Sequence, residues 1–208
     1  MPELSRRSPL EGVLVGARHA GPDAPVVIAE RRGLSLVQVI ARRAEAQAAA
    51  ERLGLDPAPG LASAIEAGTA LWLAPGAWMV VAEGLEEGAL YRSLRDQLQG
   101  LAAVIDQSHG RAALRLAGAS ARDVLAKGCR LDLHPREFTP GRCAQTSIAQ
   151  IGVLLHQCDE RPTYDLYVFA GYALDFLEWL TASAADSATG SRPPGRSPWR
   201  TTTQGSGA

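Results

Sequence analysis

The residues best suited to chemistry stand together in Asp106-Gln107-Ser108-His109-Gly110-Arg111, which brings a carboxylate, a hydroxyl and an imidazole within four positions. These are the groups of nucleophilic acyl transfer, in which a base takes the proton of an attacking hydroxyl. The spacing argues against that use. Neighbouring residues of a strand point to opposite faces, a triad is normally assembled from separate segments, and the chain has no Gly-x-Ser-x-Gly elbow. The segment reads instead as a hairpin corner, with His109-Gly110 at the tip and Asp106 and Ser108 satisfying turn amides.

Other reactive side chains are equally dispersed. Lys127 is the only lysine, so an amine nucleophile would have to be that residue, and no Gly-Lys-Ser/Thr phosphate loop occurs. Cys129, Cys143 and Cys158 are spaced 14 and 15 residues apart, which fits neither a C-x-x-C pair nor a zinc knuckle. They read as reduced core thiols. His134 precedes Pro135 in an extended link and His156 lies on an expected strand, and with His109 and the cysteines they show no metal-ligand spacing. Asp159-Glu160 suits a turn, and Glu86-Glu87 suits a helix start, where the dipole favours negative charge. The sequence nominates no catalytic, cofactor-binding or metal residue.

The elements that hold these segments look like one unit written twice. Val26–Glu30 and Leu34–Ala41 are β-branched runs around Arg31-Arg32-Gly33, consistent with a hairpin. An Ala-rich helix follows and stops at Gly54, then two strands joined across Pro75-Gly76, then a helix with Leu90, Leu94 and Leu98 at helical spacing. The order ββαββα recurs: strands at 102–108 and 111–118, a helix capped by Ser120 and stopped by Gly128, strands within 146–158 and 163–169, and a helix with Tyr172, Phe176 and Leu180 on one face. A repeat of this kind argues for an α+β body, 26–183, of two similar halves, 26–100 and 101–183. A single six-strand meander with helices on one face is the alternative. Residues 1–25, rich in Pro and Gly, read as an extended arm; 184–208, a Ser/Thr/Gly/Pro mixture with the isolated Trp199, is expected to be disordered.

Composition narrows the partners. The 208 residues are 46% hydrophobic and 21% charged with a net charge of -1, which disfavours nucleic acid. The pairs Arg6-Arg7, Arg31-Arg32 and Arg42-Arg43 lack interleaved aromatics and suggest salt-bridged or partner-facing surface. Trp72, Trp78, Tyr164, Tyr167 and Trp179 fall inside expected elements and read as core. Pro9, Glu11 and Gly12 interrupt any signal-peptide run, and no stretch approaches the roughly 20 apolar residues of a membrane helix, so a cytoplasmic location is expected. A structural or interaction role is favoured.

The stretch from Val104 to Leu180, with DQSHGRAALRL, RDVLAKGC, LDLHPREF, PGRCAQT and PTYDLYV, together with LWLAPGAWMVV in the first half, resembles the gamma subunit of heterotetrameric sarcosine oxidase over most of residues 30–182. That family is in turn similar to the folate-binding aminomethyltransferase fold, in which a strand ending in Asp-x-Ser leads to a strand, a Gly and an Ala-Arg-x-x-Leu helix, as at Gly118, Ala121, Arg122 and Leu125. Aminomethyltransferases carry Gly-Gly and an acidic pair where this chain has AQIGVLLHQC, with one Gly and no carboxylate. The resemblance implies a non-catalytic subunit packing directly on a large flavin- and folate-binding alpha subunit, with beta and delta subunits completing the complex. FAD, FMN, NAD, tetrahydrofolate and zinc would lie only in partner subunits. The complex would oxidise sarcosine to glycine, passing the one-carbon unit to tetrahydrofolate or releasing formaldehyde, with hydrogen peroxide as coproduct. A stand-alone folate-dependent aminomethyltransferase-like protein and a generic adaptor are the alternatives. A partner would be sought first at the arm before residue 25 and at the Asp106–Arg111 turn, since such a subunit exposes apolar surface.

Overall fold

Among the described residues, alternation of apolar and polar residues gives ten strands, and Leu/Ala-rich runs give four α-helices. The structure, a computed structural model, describes residues 7–13 and 26–189. The first half comprises β1 (Val27–Glu30), β2 (Leu34–Ala41), α1 (Ala46–Leu53), β3 (Ala62–Ile65), β4 (Gly68–Ala74), β5 (Ala77–Glu83) and α2 (Ala89–Gln97). The second repeats it as β6 (Ala102–Asp106), β7 (Arg111–Ala117), α3 (Ala121–Ala126), β8 (Cys143–Ile148), β9 (Ile151–Asp159), β10 (Thr163–Phe169) and α4 (Ala173–Thr189). The α+β class and the duplication hold, with one more strand per half than ββαββα.

The extra strands carry weak local signals. β8 and β9 are separated by Ala149-Gln150, both at positive φ (49° and 67°), a turn ordinarily announced by Asn-Gly or Asp-Gly. Without those residues the run 146–158 reads as one strand. β3 is four small or polar-flanked residues with no fully buried side chain, too weak a pattern to stand out.

Strand pairing corrects the two expected hairpins. β1 pairs antiparallel with β7 rather than β2, and β6 pairs with β2 rather than β7. One sheet therefore has the order β1-β7-β10-β9-β8 and the other β3-β4-β5-β2-β6, so the halves exchange their first strands and a single meander does not form. Each short link between the paired-off strands is a crossover from one sheet to the other. Both are tied to the opposite half: Arg31 N donates to Ala113 O at 2.9 Å and Gln107 N to Leu36 O at 2.7 Å. The registers are equivalent too, since Ser35 faces Ala82 as Ala112 faces Val168.

The sheets pack face to face and the helices cover their outer faces. Leu34, Leu36, Leu71, Met79, Leu154 and Tyr167 fill the space between the sheets. One residue along each strand, Val37, Val39 and Val80 face α1 and α2, while Leu114, Leu116, Leu155 and Leu166 face α3 and α4. This period-two division makes a four-layer arrangement. The aromatics expected in the core are there: Trp78, Tyr164 and Tyr167 are buried, and Trp72 and Trp179 pack against core clusters.

At the ends, the described part of the arm is a turn anchored by Leu10, which is fully buried, and by Ser8 Oγ donating to Glu30. The boundary expected at 184 falls inside α4, because Ala-rich sequence carries the helix on to Thr189. The remaining residues of the arm, expected to be extended, and residues 190–208 of the tail, expected to be disordered, lie outside the described residues. No helix among the described residues is long and apolar enough to cross a membrane.

Close approach of β4 to β5 sets a test. A Cβ at Gly68, whose φ is +137°, would stand 2.2 Å from Val81 O, whereas one at Gly152 would meet nothing within 4 Å. Gly68→Ala is expected to destabilise by about 3 kcal/mol and Gly152→Ala to change stability by no more than about 0.5 kcal/mol, measured by urea unfolding.

Candidate functional site

The corner at 106–111 does not assemble a triad. Ser108 points inward, where its Oγ accepts from Leu36 N at 3.0 Å and donates to Leu36 O at 3.4 Å. Asp106 Oδ1 accepts from Ser108 N at 2.8 Å, so both residues serve the backbone of a crossover. His109 points outward and pairs with Glu87. Arg111 lies over the half-exposed Phe169 ring, 4.2 Å from its centroid. His134 is exposed, with Nδ1 accepting from Arg136 N in a turn. Asp159, at the end of β9, and Glu160, in the turn that follows, are both exposed.

The structure brings together a different set. Asp165, in the middle of β10, stands opposite Arg115 of β7 and His156 of β9, so strand register alone makes them neighbours. Its side chain is 2% exposed. Arg115 holds it bidentately, Nε to Oδ1 at 2.7 Å and Nη2 to Oδ2 at 2.9 Å. Arg31, from the first crossover, donates to the same carboxylate through Nη1 and pairs through Nη2 with Glu83 of the other sheet. Arg31 Nη1 also lies 3.4 Å from Tyr167 Oη. These groups line a cavity of about 500 Å³ at the edge of the inter-sheet layer.

Electrostatically the cluster is saturated. The hydrogen bond to Asp165 raises the Arg115 pKa further above its ordinary value. Burial, with the Asp165 carboxylate adding to it, pushes the Cys158 thiol up to about 12, and burial pushes the Tyr167 phenol up as well. Burial also lowers His156 below 6.5, keeping the imidazole neutral. Cys143, beneath Trp72 O, is pushed up to about 11 by burial. All three cysteines are free.

Ligand atoms of His156, Cys158 and Asp165 lie within 4.8 Å of one another, which brings two residues of the dispersed sequence set together with one it did not include. The cluster does not fit zinc. Both Asp165 oxygens are taken by guanidinium groups, two fixed cations would face the metal, and the thiolate needed for ligation is disfavoured. Motif and spacing in the sequence do not single out Asp165, Arg115 or Glu83. A signal was present for two of them: a lone carboxylate in TYDLYVF and a lone arginine in RAALRLA each require a partner when the strand is buried.

Removing the carboxylate leaves two cations facing each other in a partly dry cavity. Asp165→Asn is expected to destabilise by about 3 kcal/mol in urea unfolding. His156 adds a pH dependence. Because its folded pKa is lowered, the unfolded chain binds the proton first, so its contribution is complete above about pH 6.5 and is lost as pH falls. Between about pH 7 and pH 5 the wild type is expected to lose more stability than His156→Gln, measured by thermal unfolding.

The model of the sarcosine oxidase, gamma subunit family matches residues 39–186. The sarcosine oxidase subunit gamma of Corynebacterium sp. (strain U-96) is 39% identical over 137 residues, a match covering 65% of each chain, so this chain spans just under two thirds of that relative's length. The corresponding subunit of Arthrobacter sp. is 36% identical over 168 residues, 77% of this chain and 81% of that one. Among solved structures, a chain of the heterotetrameric sarcosine oxidase from Corynebacterium sp. U-96, in complex with pyrrole 2-carboxylate, superposes with a TM-score of 0.76 at 31% identity, covering 89% of this chain and 97% of that one. The glycine cleavage system aminomethyltransferase T of Bartonella henselae shares the fold, with a TM-score of 0.57 at 20% identity, covering 79% of this chain and 50% of that one. The chain belongs to the sarcosine oxidase gamma subunit family.

Proposed function

We propose that the chain is a non-catalytic gamma subunit of a heterotetrameric sarcosine oxidase in the cytoplasm. It packs on a large alpha subunit, alongside beta and delta subunits, and supports their oxidative demethylation of sarcosine to glycine. One observation carries this: the groups of the inter-sheet cavity are already spent on one another. Asp165 is clamped by two guanidiniums, and burial keeps the Cys158 thiol and Tyr167 phenol protonated. A nucleophile or general base needs a pKa near the working pH and a free partner. FAD, FMN, NAD, tetrahydrofolate and zinc belong, on this reading, to the partner subunits.

Support for a docking role comes from the surface: Phe169, Tyr172 and Leu174 are 43 to 55% exposed at the β10–α4 junction. Aromatic side chains of this kind anchor protein interfaces. The test is reconstitution. The isolated chain is expected to show no sarcosine turnover and to restore oxidase activity when combined with its partner chains; turnover by the isolated chain overturns the proposal. In the same preparation Cys158 is expected to resist iodoacetamide at about pH 8 and to react once the chain is unfolded, read by mass spectrometry.

A further inference from the structure

β7 presents Arg111, Ala113 and Arg115 to the layer between the sheets, because alternate residues of a strand share a face and Ala113 lies in that layer. Strand register places Phe169, Tyr167 and Asp165 opposite them on β10. The two arginines therefore meet different neighbours. Arg115 stands against a carboxylate and holds it bidentately, whereas Arg111 stands against a ring, with its guanidinium carbon 4.2 Å from the Phe169 centroid. The ring answers part of the charge but offers no oxygen to the N–H groups. Arg111 Nε is buried without an acceptor, and among the described residues the side chain makes no ion pair. Burial accordingly lowers the Arg111 pKa from its ordinary value.

Arg111 also lines a cavity of about 160 Å³ beside the two crossover links. Of the other cations around it, Arg31 is held by Asp165 and Glu83, Arg32 by Glu30 and His109 by Glu87, while Arg7 is exposed. Solvent does not reach Arg111 Nε, so a missing acceptor there costs the desolvation of a charged donor. On its other side Phe169, Tyr172 and Leu174 form the exposed apolar surface of the β10–α4 junction, and Ala170 N, donating to Gly110 O at 2.9 Å, fixes that junction to the second link. Cavity and apolar surface are joined through Arg111.

We propose that Arg111 receives the carboxylate of an Asp or Glu side chain of a partner subunit, with an apolar neighbour of that residue covering Phe169 and Tyr172, an inference that rests on the gamma-subunit reading above. Charge complementarity selects the group: a guanidinium short of acceptors takes a carboxylate, whose two oxygens match its fork of donors. Size selects the source. Small-molecule sites ordinarily enclose about 300–1,000 Å³, so a cavity of about 160 Å³ suits the head of a side chain better than a free ligand. A free anion would also leave the two exposed rings uncovered, whereas aromatic residues and arginine together are enriched at the centres of protein interfaces. Within this chain the competing carboxylate is Glu11, exposed on the cavity wall.

Arg111→Gln in the full chain, co-expressed with the partner subunits, removes the charge. The expected result is an unfolding temperature no lower than wild type, since no carboxylate among the described residues loses its partner, and assembly weakened about tenfold or more, read by pull-down titration. Assembly equal to wild type overturns the carboxylate proposal. Arg111→Lys reads the occupant, because a water-soluble carbodiimide joins an amine to a carboxylate in contact with it and Lys127 is the only native lysine. A cross-link from position 111 to an Asp or Glu of a partner subunit, found by mass spectrometry, supports the proposal. A link to Glu11 or to a second copy of this chain, or no link at 111 in an assembled complex, overturns it, and the same cross-link decides the case in which Arg111→Gln lowers the unfolding temperature. A wild-type chain that joins no partner overturns the subunit reading and the carboxylate together, whereas a wild type that assembles beside an equally competent Arg111→Gln overturns the carboxylate alone.

Discussion

A carboxylate removed from water has to be answered by positive charge, and Asp165 is answered twice. The two guanidiniums come from different places. Arg115 belongs to the adjacent strand of the same sheet, whereas Arg31 belongs to the link by which the chain leaves that sheet for the other. Arg31 reaches Asp165 with one nitrogen and Glu83 of the opposite sheet with another, so a single side chain ties both sheets at the crossover. The pairing is compatible only with β1 in one sheet and β2 in the other. Strand exchange, sheet packing and the ionic cluster therefore depend on one another, and the halves cannot separate without exposing an edge and stranding a buried charge.

Burial also sets the charge of the groups around that carboxylate: the thiol and phenol rise and the imidazole falls, each toward its neutral form. Two copies of one architecture keep the same helix tie, Arg52 donating to Gln97 O and Lys127 to Ser183 O.

The corner at 106–111 shows how far local reading reaches. Asp106 takes a turn amide as its spacing implies, whereas the Ser108 hydroxyl bonds the backbone of Leu36 in β2, and the turn joins two sheets rather than two neighbouring strands. Nothing within a four-residue link distinguishes these outcomes, because Asp, Ser and Gly suit a tight link of either kind. Arg31-Arg32 is legible as a salt-bridged pair, and both residues do form ion pairs, with Arg32 taking Glu30. The depth of Arg31 is not legible, since it depends on β10 lying beneath it.

From the sequence alone came the class, the repeat and the helices, because each rests on short-range periodicity: apolar residues at alternate positions for strands, and Leu90, Leu94 and Leu98 for α2. The family signature is likewise a property of the order of residues. Only the tertiary structure decided which strands pair, that Asp165 meets Arg31 across more than a hundred residues of chain, and that Gly54 faces open space while Gly128 faces an indole. The physical reason is the range of the forces that select them. Periodicity is set by the geometry of a few consecutive residues, but pairing partners, buried charge and cavity shape are set by which distant faces exclude water together.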